Sequence, residues 1–176
     1  MPNGIVIGQN AAINVGSLGL TTLPITDDGN GNWMTGFGGA NPTVTFGQAT
    51  DPNSYIRTDT VIDGSIRANG SGSYVALVAP SIEHKGVIRT DGAAALVAAE
   101  AATITFSPDG LFDIQVTTGT DAGQGIHVNG GTIDRNSATE GADHRAYLVA
   151  VAKNDAVTML IDSGGSLTTL TTNALN

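Results

Sequence analysis

The chain contains no cysteine, so neither a disulfide framework nor a thiolate metal site is open to it. Basic residues are scarce: seven Lys and Arg stand against sixteen Asp and Glu, for a net charge of −9. That balance argues against nucleic acid and against anionic membrane surfaces as partners. No run of 18 apolar residues occurs, so no segment reads as a membrane-spanning helix. The first residues include no basic side chain and no long apolar core, and they do not read as a secretory signal. If the protein is exported, the expectation is a signal peptide upstream of Met1. Aromatic residues make up only 5% of the chain. That scarcity, with 24 glycines and abundant Thr and Val, fits a repetitive β fold.

Signatures of catalysis are also missing. His84, His127 and His144 are scattered, with no i, i+4 pair and no carboxylate at metal-ligand spacing. No G-x-S-x-G elbow occurs. Gly36-Phe37-Gly38-Gly39 and Gly123-Gln124-Gly125 lack the strand–helix frame of a phosphate loop and read as turns. Asp59 and Asp63 flank Thr60-Val61-Ile62, where turn formation is a better reading than a calcium site. Thr103 and Thr105 form one T-x-T word, which does not recur on the neighbouring repeat. Asn69-Gly70-Ser71 is a formal glycosylation sequon of the kind expected by chance in a Gly- and Ser-rich chain. The expectation is therefore a non-enzyme with no metal and no cofactor.

What the sequence does contain is a repeat. Gly64-Ser65-Ile66-Arg67 returns as Gly86-Val87-Ile88-Arg89, and each is followed by a turn and a small-apolar run. Those runs are Val75-Ala76-Leu77-Val78-Ala79 and Ala94-Ala95-Leu96-Val97-Ala98. A third copy reads Gly131-Thr132-Ile133 and then Tyr147 to Ala152, and a fourth begins at Gly165-Ser166-Leu167. A period near twenty with variable turns marks a solenoid of stacked rungs. Ala93 to Ala102 reads as a helix on propensity alone. Its counterpart at Tyr74 to Ala79 and the period-two runs Thr103 to Phe106 and Phe112 to Val116 read as strands, and the repeat context decides for strand. Rungs of about 20 residues, at roughly 3.3 Å each, close a circuit of three short strands. The reading is an all-β chain forming a right-handed parallel β-helix, one domain over 1–176. Ile66, Ile88 and Ile133 form an inward ladder with Leu77 and Leu96 beside them, and Ala76, Ala79, Ala95 and Ala98 suit a narrow interior.

Asp27 to Asn53 interrupts the repeat. A turn cluster, Asp27 to Asn32, precedes Trp33, Met34, Phe37 and Phe46, and Val44 and Phe46 alternate with polar residues. This segment reads as a hairpin-like decoration, an insertion outside the solenoid around residues 27–58. Its aromatic side chains either cover a flank of the helix or form an exposed patch that meets a partner. The polar, Gly-rich stretch 117–145 reads as loops between rungs.

Several ordered words resemble a known family. Pro2-Asn3-Gly4-Ile5, Gly8, Ala11, Ile13-Asn14-Val15-Gly16, Leu18 and Leu23 are similar to the NPNG-containing stretch of the two-partner secretion domain. That domain opens bacterial exoproteins of the filamentous haemagglutinin family. The stretch SYVALVAPSIEHKGVIRTDGAAALVAAEAATITF resembles its later rungs, so the likeness covers most of residues 2–106. Met1 stands where the family motif carries Asn, and the family's preceding segment is not present, so the chain reads as an N-terminally truncated fragment of a longer exoprotein. The resemblance implies a secreted or bacterial cell-surface adhesin or haemagglutinin-like protein. A dedicated outer-membrane transporter of the two-partner type would recognise it, with Pro2, Asn3, Gly4, Ile5, Asn14 and Gly16 in the secretion motif, and the domain would nucleate β-helix folding. A host-cell or carbohydrate receptor would be engaged through regions absent here. Open strand edges at the ends imply end-to-end self-association. Two other classes compete: a carbohydrate-cleaving β-helix enzyme, which would show an acid pair from adjacent rungs in a long cleft, and a purely structural fibre module.

Overall fold

The computed structural model describes residues 3–27, 30–34, 41–59, 66–70, 72–107, 112–135, 145–162 and 164–167. Pro2, Phe37, the strand read over 60–62, Asp63, Gly64, Ser65 and His144 lie outside them. The described chain is all-β and makes five passes through the same set of sheets. The first pass is β1 (Gly4–Ile7), β2 (Ile13–Val15) and β3 (Leu18–Thr21), followed by β4 (Ile25–Thr26) and β5 (Thr43–Phe46). The second is β6 (Tyr55–Thr58), β7 (Ile66–Ala68) and β8 (Tyr74–Ala79). The third is β9 (Ser81–His84), β10 (Val87–Thr90) and β11 (Ala93–Ala98), followed by β12 (Ala101–Phe106) and β13 (Phe112–Thr118). The fourth is β14 (Gln124–Asn129), β15 (Thr132–Arg135) and β16 (Arg145–Ala150), and the fifth is β17 (Thr158–Asp162) and β18 (Ser166–Leu167).

Corresponding strands of successive passes pair in parallel. Sheet A runs β1-β6-β9-β14-β17, sheet B runs β2-β7-β10-β15-β18, and sheet C runs β3-β8-β11-β16. Parallel pairing in register puts like side chains above one another, and the pattern of Ile and Leu makes that arrangement favourable. Ile13, Ile66, Ile88, Ile133 and Leu167 form one continuous ladder in sheet B. Leu20, Leu77, Leu96 and Leu148 form another in sheet C, and Ile5, Ile56, Ile82 and Ile126 a third in sheet A. The three ladders converge on a single interior core.

A fourth sheet is antiparallel, in the order β4-β5-β12-β13. It lies over the outer face of sheet C, where Val44, Phe46, Ile104 and Phe112 pack against Ala76, Val78, Ala95 and Val97. Strands β8 and β11 are therefore buried on both sides, apart from the half-buried Tyr74. Two-sided burial is what demands continuous small-apolar runs in place of alternation.

Four details of the sequence reading change. Ala76 and Ala95 face outward beneath the antiparallel sheet, and only Ala79 and Ala98 point into the interior, because residues an odd number apart in a strand face opposite sides. Thr103 to Phe106 and Phe112 to Val116 belong to the antiparallel hairpin and not to rungs. The insertion stops before β6, since Tyr55 to Thr58 pair in parallel with β1 and β9. Tyr147 aligns with Ala76 and not with Tyr74, a slip of two residues that leaves every side chain on its expected face. The interval near twenty holds for Ile66 to Ile88, 22 residues apart; Ile88 to Ile133 spans 45 because the β12–β13 hairpin and a long loop intervene.

Candidate functional site

The residues of the N-terminal motif are spread along the first pass and do not converge on a pocket. Asn3 is exposed ahead of β1, and Gly4 and Ile5 lie within it. Ile5 packs against the interior core. Asn14 points out of β2, where its carboxamide oxygen accepts a hydrogen bond from the Asn69 amide. Two glycines of the motif differ in physical requirement. A Cβ on Gly4 would lie 2.9 Å from Cζ of Tyr55, whose ring occupies the space a side chain would need. A Cβ on Gly16 would meet nothing within 4 Å.

A polar groove of about 340 Å³ lies on the outer face of sheet A. Its lining comes from three adjacent strands: Tyr55 and Arg57 on β6, Ser81 and Glu83 on β9, Gln124 and His127 on β14. Arg57, Glu83 and His127 stand in register across the strands. Each charged group has a partner beside it. Arg57 Nε lies 2.9 Å from Asp59, although its N–H is not aligned as a hydrogen bond; Lys85 reaches Glu83 at 2.8 Å, and His127 Nε2 lies 3.0 Å from Asp162. Asp59, weighed above as a calcium ligand, is thus occupied by Arg57. Among the described residues Glu83 is the carboxylate that lines the groove, and it is held by Lys85. Among the described residues no three His, Asp or Glu side chains gather as a metal site.

The alternation Tyr-Ile-Arg, Ser-Ile-Glu was visible in the sequence, but nothing there said that these words stack. The same applies to His84, which is fully buried in sheet A. Its Nε2–H donates to the Thr132 carbonyl at 3.0 Å, leaving Nδ1 to accept the Thr58 hydroxyl at 2.7 Å. The Thr58 oxygen in turn accepts the amides of Lys85 and Gly86. The ring is therefore neutral, and burial pushes its pKa down, with the Thr132 carbonyl opposing in part. Its role is to join the second, third and fourth passes.

A second buried polar group lies where the antiparallel sheet meets the parallel sheets. Glu100 is 2% exposed, and its Oε2 accepts from Gln48 at 2.7 Å and Lys153 at 2.8 Å. The glutamate raises the Lys153 pKa. Asp121, 3.9 Å from Lys153, caps the turn at Asn154, whose backbone amide chiefly holds its carboxyl below the usual range. This network joins three parts of the chain distant in sequence.

In the decoration, Phe46 is buried and Trp33 is 55% exposed beside a small apolar recess. Tyr74, Phe106, Phe112 and Tyr147 form a chain of ring contacts with centroids 4.6–5.8 Å apart. The T-x-T word at Thr103 has a counterpart outside the stacked passes. It faces Thr43-Val44-Thr45 across the antiparallel pair, with the Thr43 and Thr105 hydroxyls 2.9 Å apart.

The class defined by these features is an all-β chain of stacked parallel sheets with an antiparallel sheet on one flank. No family model matches the chain, and no curated protein or solved structure matches it.

Proposed function

We propose that the chain is a right-handed parallel β-helix and part of the secretion domain of a large adhesin- or haemagglutinin-like exoprotein at the bacterial surface. On this reading an outer-membrane transporter of the two-partner type recognises it, and its rungs template the folding of the downstream exoprotein. The observation that carries the templating half is the unbroken ladder Ile13-Ile66-Ile88-Ile133-Leu167, held in register across loops of very different length. A rung added to such a stack finds its register already set by the rung before it. Recognition rests on the resemblance of residues 2–23, and β1 to β3 have an unpaired edge on one side among the described residues. An extended transporter segment could pair with that edge. Glu83 in the sheet A groove is neutralised by Lys85, which favours this reading over a carbohydrate-cleaving enzyme.

The test is export of the reading frame containing this chain, fused to a signal peptide, in cells with and without the partner transporter. Export should require the transporter, and Asn3→Val should reduce it while Gln9→Val leaves it unchanged. Asn3 is the better probe, because Gly4→Val also collides with Tyr55. Equal export in cells lacking the transporter would overturn the proposal in favour of a structural fibre module.

A further inference from the structure

We propose that the groove on the outer face of sheet A is a binding site for a short, neutral saccharide. The inference is independent of the secretion reading. Tyr55 forms one wall, and Ala122, Gly123 and Gln124 form the other, with Ser81 and Ile82 between them. The walls stand two strand spacings apart, roughly 9–10 Å, and the volume of about 340 Å³ lies within the ligand-pocket range of about 300–1,000 Å³.

Three features select the ligand class. The first is Tyr55, which is 40% exposed and gives the groove an aromatic surface with a polar tip. Its ring is held in place from below: it occupies the space left by the missing side chain of Gly4, on the neighbouring strand. The second is hydrogen-bonding capacity. Asn53 and Gln124 line the groove and their side-chain amides each carry both donors and an acceptor, while Arg57 retains N–H donors beyond the Nε near Asp59. The third is charge balance. The pairs Arg57–Asp59 and Lys85–Glu83 balance Arg57 and Glu83, the ionised side chains that line the groove, so neither an anion nor a cation finds an uncompensated partner there. A ligand with an apolar face, many hydroxyls and no charge fits all three, and a sugar ring is such a ligand.

The experiment is an NMR titration of the intact chain with maltotriose, cellotriose and chitotriose at millimolar concentration, beside inorganic phosphate and a heparin tetrasaccharide. At least one neutral sugar should shift the backbone amides of Ser81, Gln124 and His127. Tyr55→Ala and Gln124→Ala should each weaken that binding about fivefold or more, and Tyr55→Phe should retain it. Gly4→Ala should also weaken it, by displacing the Tyr55 ring, whereas Arg89→Ala on sheet B should have no effect. If Tyr55→Ala does not fold, Gln124→Ala at the exposed opposite wall decides the matter. The proposal is overturned if no neutral sugar shifts these amides, if only the anionic probes do, or if binding survives both wall substitutions.

Discussion

Gly131 and Gly16 look equivalent in the sequence, each set beside a strand of sheet B, yet the fold treats them differently. A Cβ on Gly131 would lie 2.4 Å from the His84 carbonyl oxygen and 2.6 Å from the His84 ring. Neither can retreat, because both are buried between passes. Gly131→Ala is expected to cost about 1–3 kcal/mol in denaturant melts, whereas Gly16→Ala should be neutral or stabilise by up to about 1 kcal/mol. Equal midpoints for the two variants would contradict the packing around His84. The same histidine carries a pH prediction. Its folded pKa is depressed below the ordinary 6.5, so the unfolded chain takes up the proton first as pH falls. Stability is fully present above about pH 6.5 and is lost below it, by at most about 1.4 kcal/mol per pH unit, until the folded pKa is reached. Melts from pH 7.5 to 5.5 should show this slope in the native chain and lose it in His84→Gln. A slope unchanged by that substitution would assign the effect to another group.

At the level of the strand, the instructive pair is β8 and β11. Helix propensity favours the alanines of β11, but a helix would leave the facing strands of sheet C without backbone partners and open both cores at once. Burial on two faces also explains why these runs contain few large residues: sheet C is packed on the interior from one side and on the antiparallel sheet from the other. Ile88 and Arg89 test the register of sheet B directly. Ile88 is fully buried between Ile66 and Ile133, while Arg89 faces outward. Ile88→Ala should lower stability by about 2–5 kcal/mol, and Arg89→Ala by under about 1 kcal/mol. Similar losses for both would mean that the strand is displaced by one residue.

The protein as a whole is a stack, and its described ends differ in character. At the far end Ile161 and Leu167 occupy inward ladder positions, opposite Val128 and Ile133, yet are 43% and 38% exposed. An apolar ladder end beside strand edges that are unpaired among the described residues invites another strand. Concentration-dependent association is therefore expected in sedimentation velocity, and Ile161→Lys should reduce it, since a charge at an edge discourages pairing. A strict monomer across the accessible concentration range would count against it.

The repeated word of Gly, one intervening residue and then Ile or Leu is enough to put Ile66, Ile88, Ile133 and Leu167 on one face, because residue-for-residue parallel stacking is the one arrangement that satisfies them all. It is also enough to make the chain all-β, since period-two alternation outside the runs leaves no helical stripe. The covering of sheet C, by contrast, is a matter of three-dimensional packing. The antiparallel sheet brings β5 beside β12, 62 residues apart at the Thr43–Thr105 pair, and no local pattern encodes a contact of that separation. The Tyr55 groove, the His84 bridge and the Glu100–Lys153 pair have the same origin. Each is built from side chains of different passes, and which residues meet depends on loop lengths that the strand words do not specify.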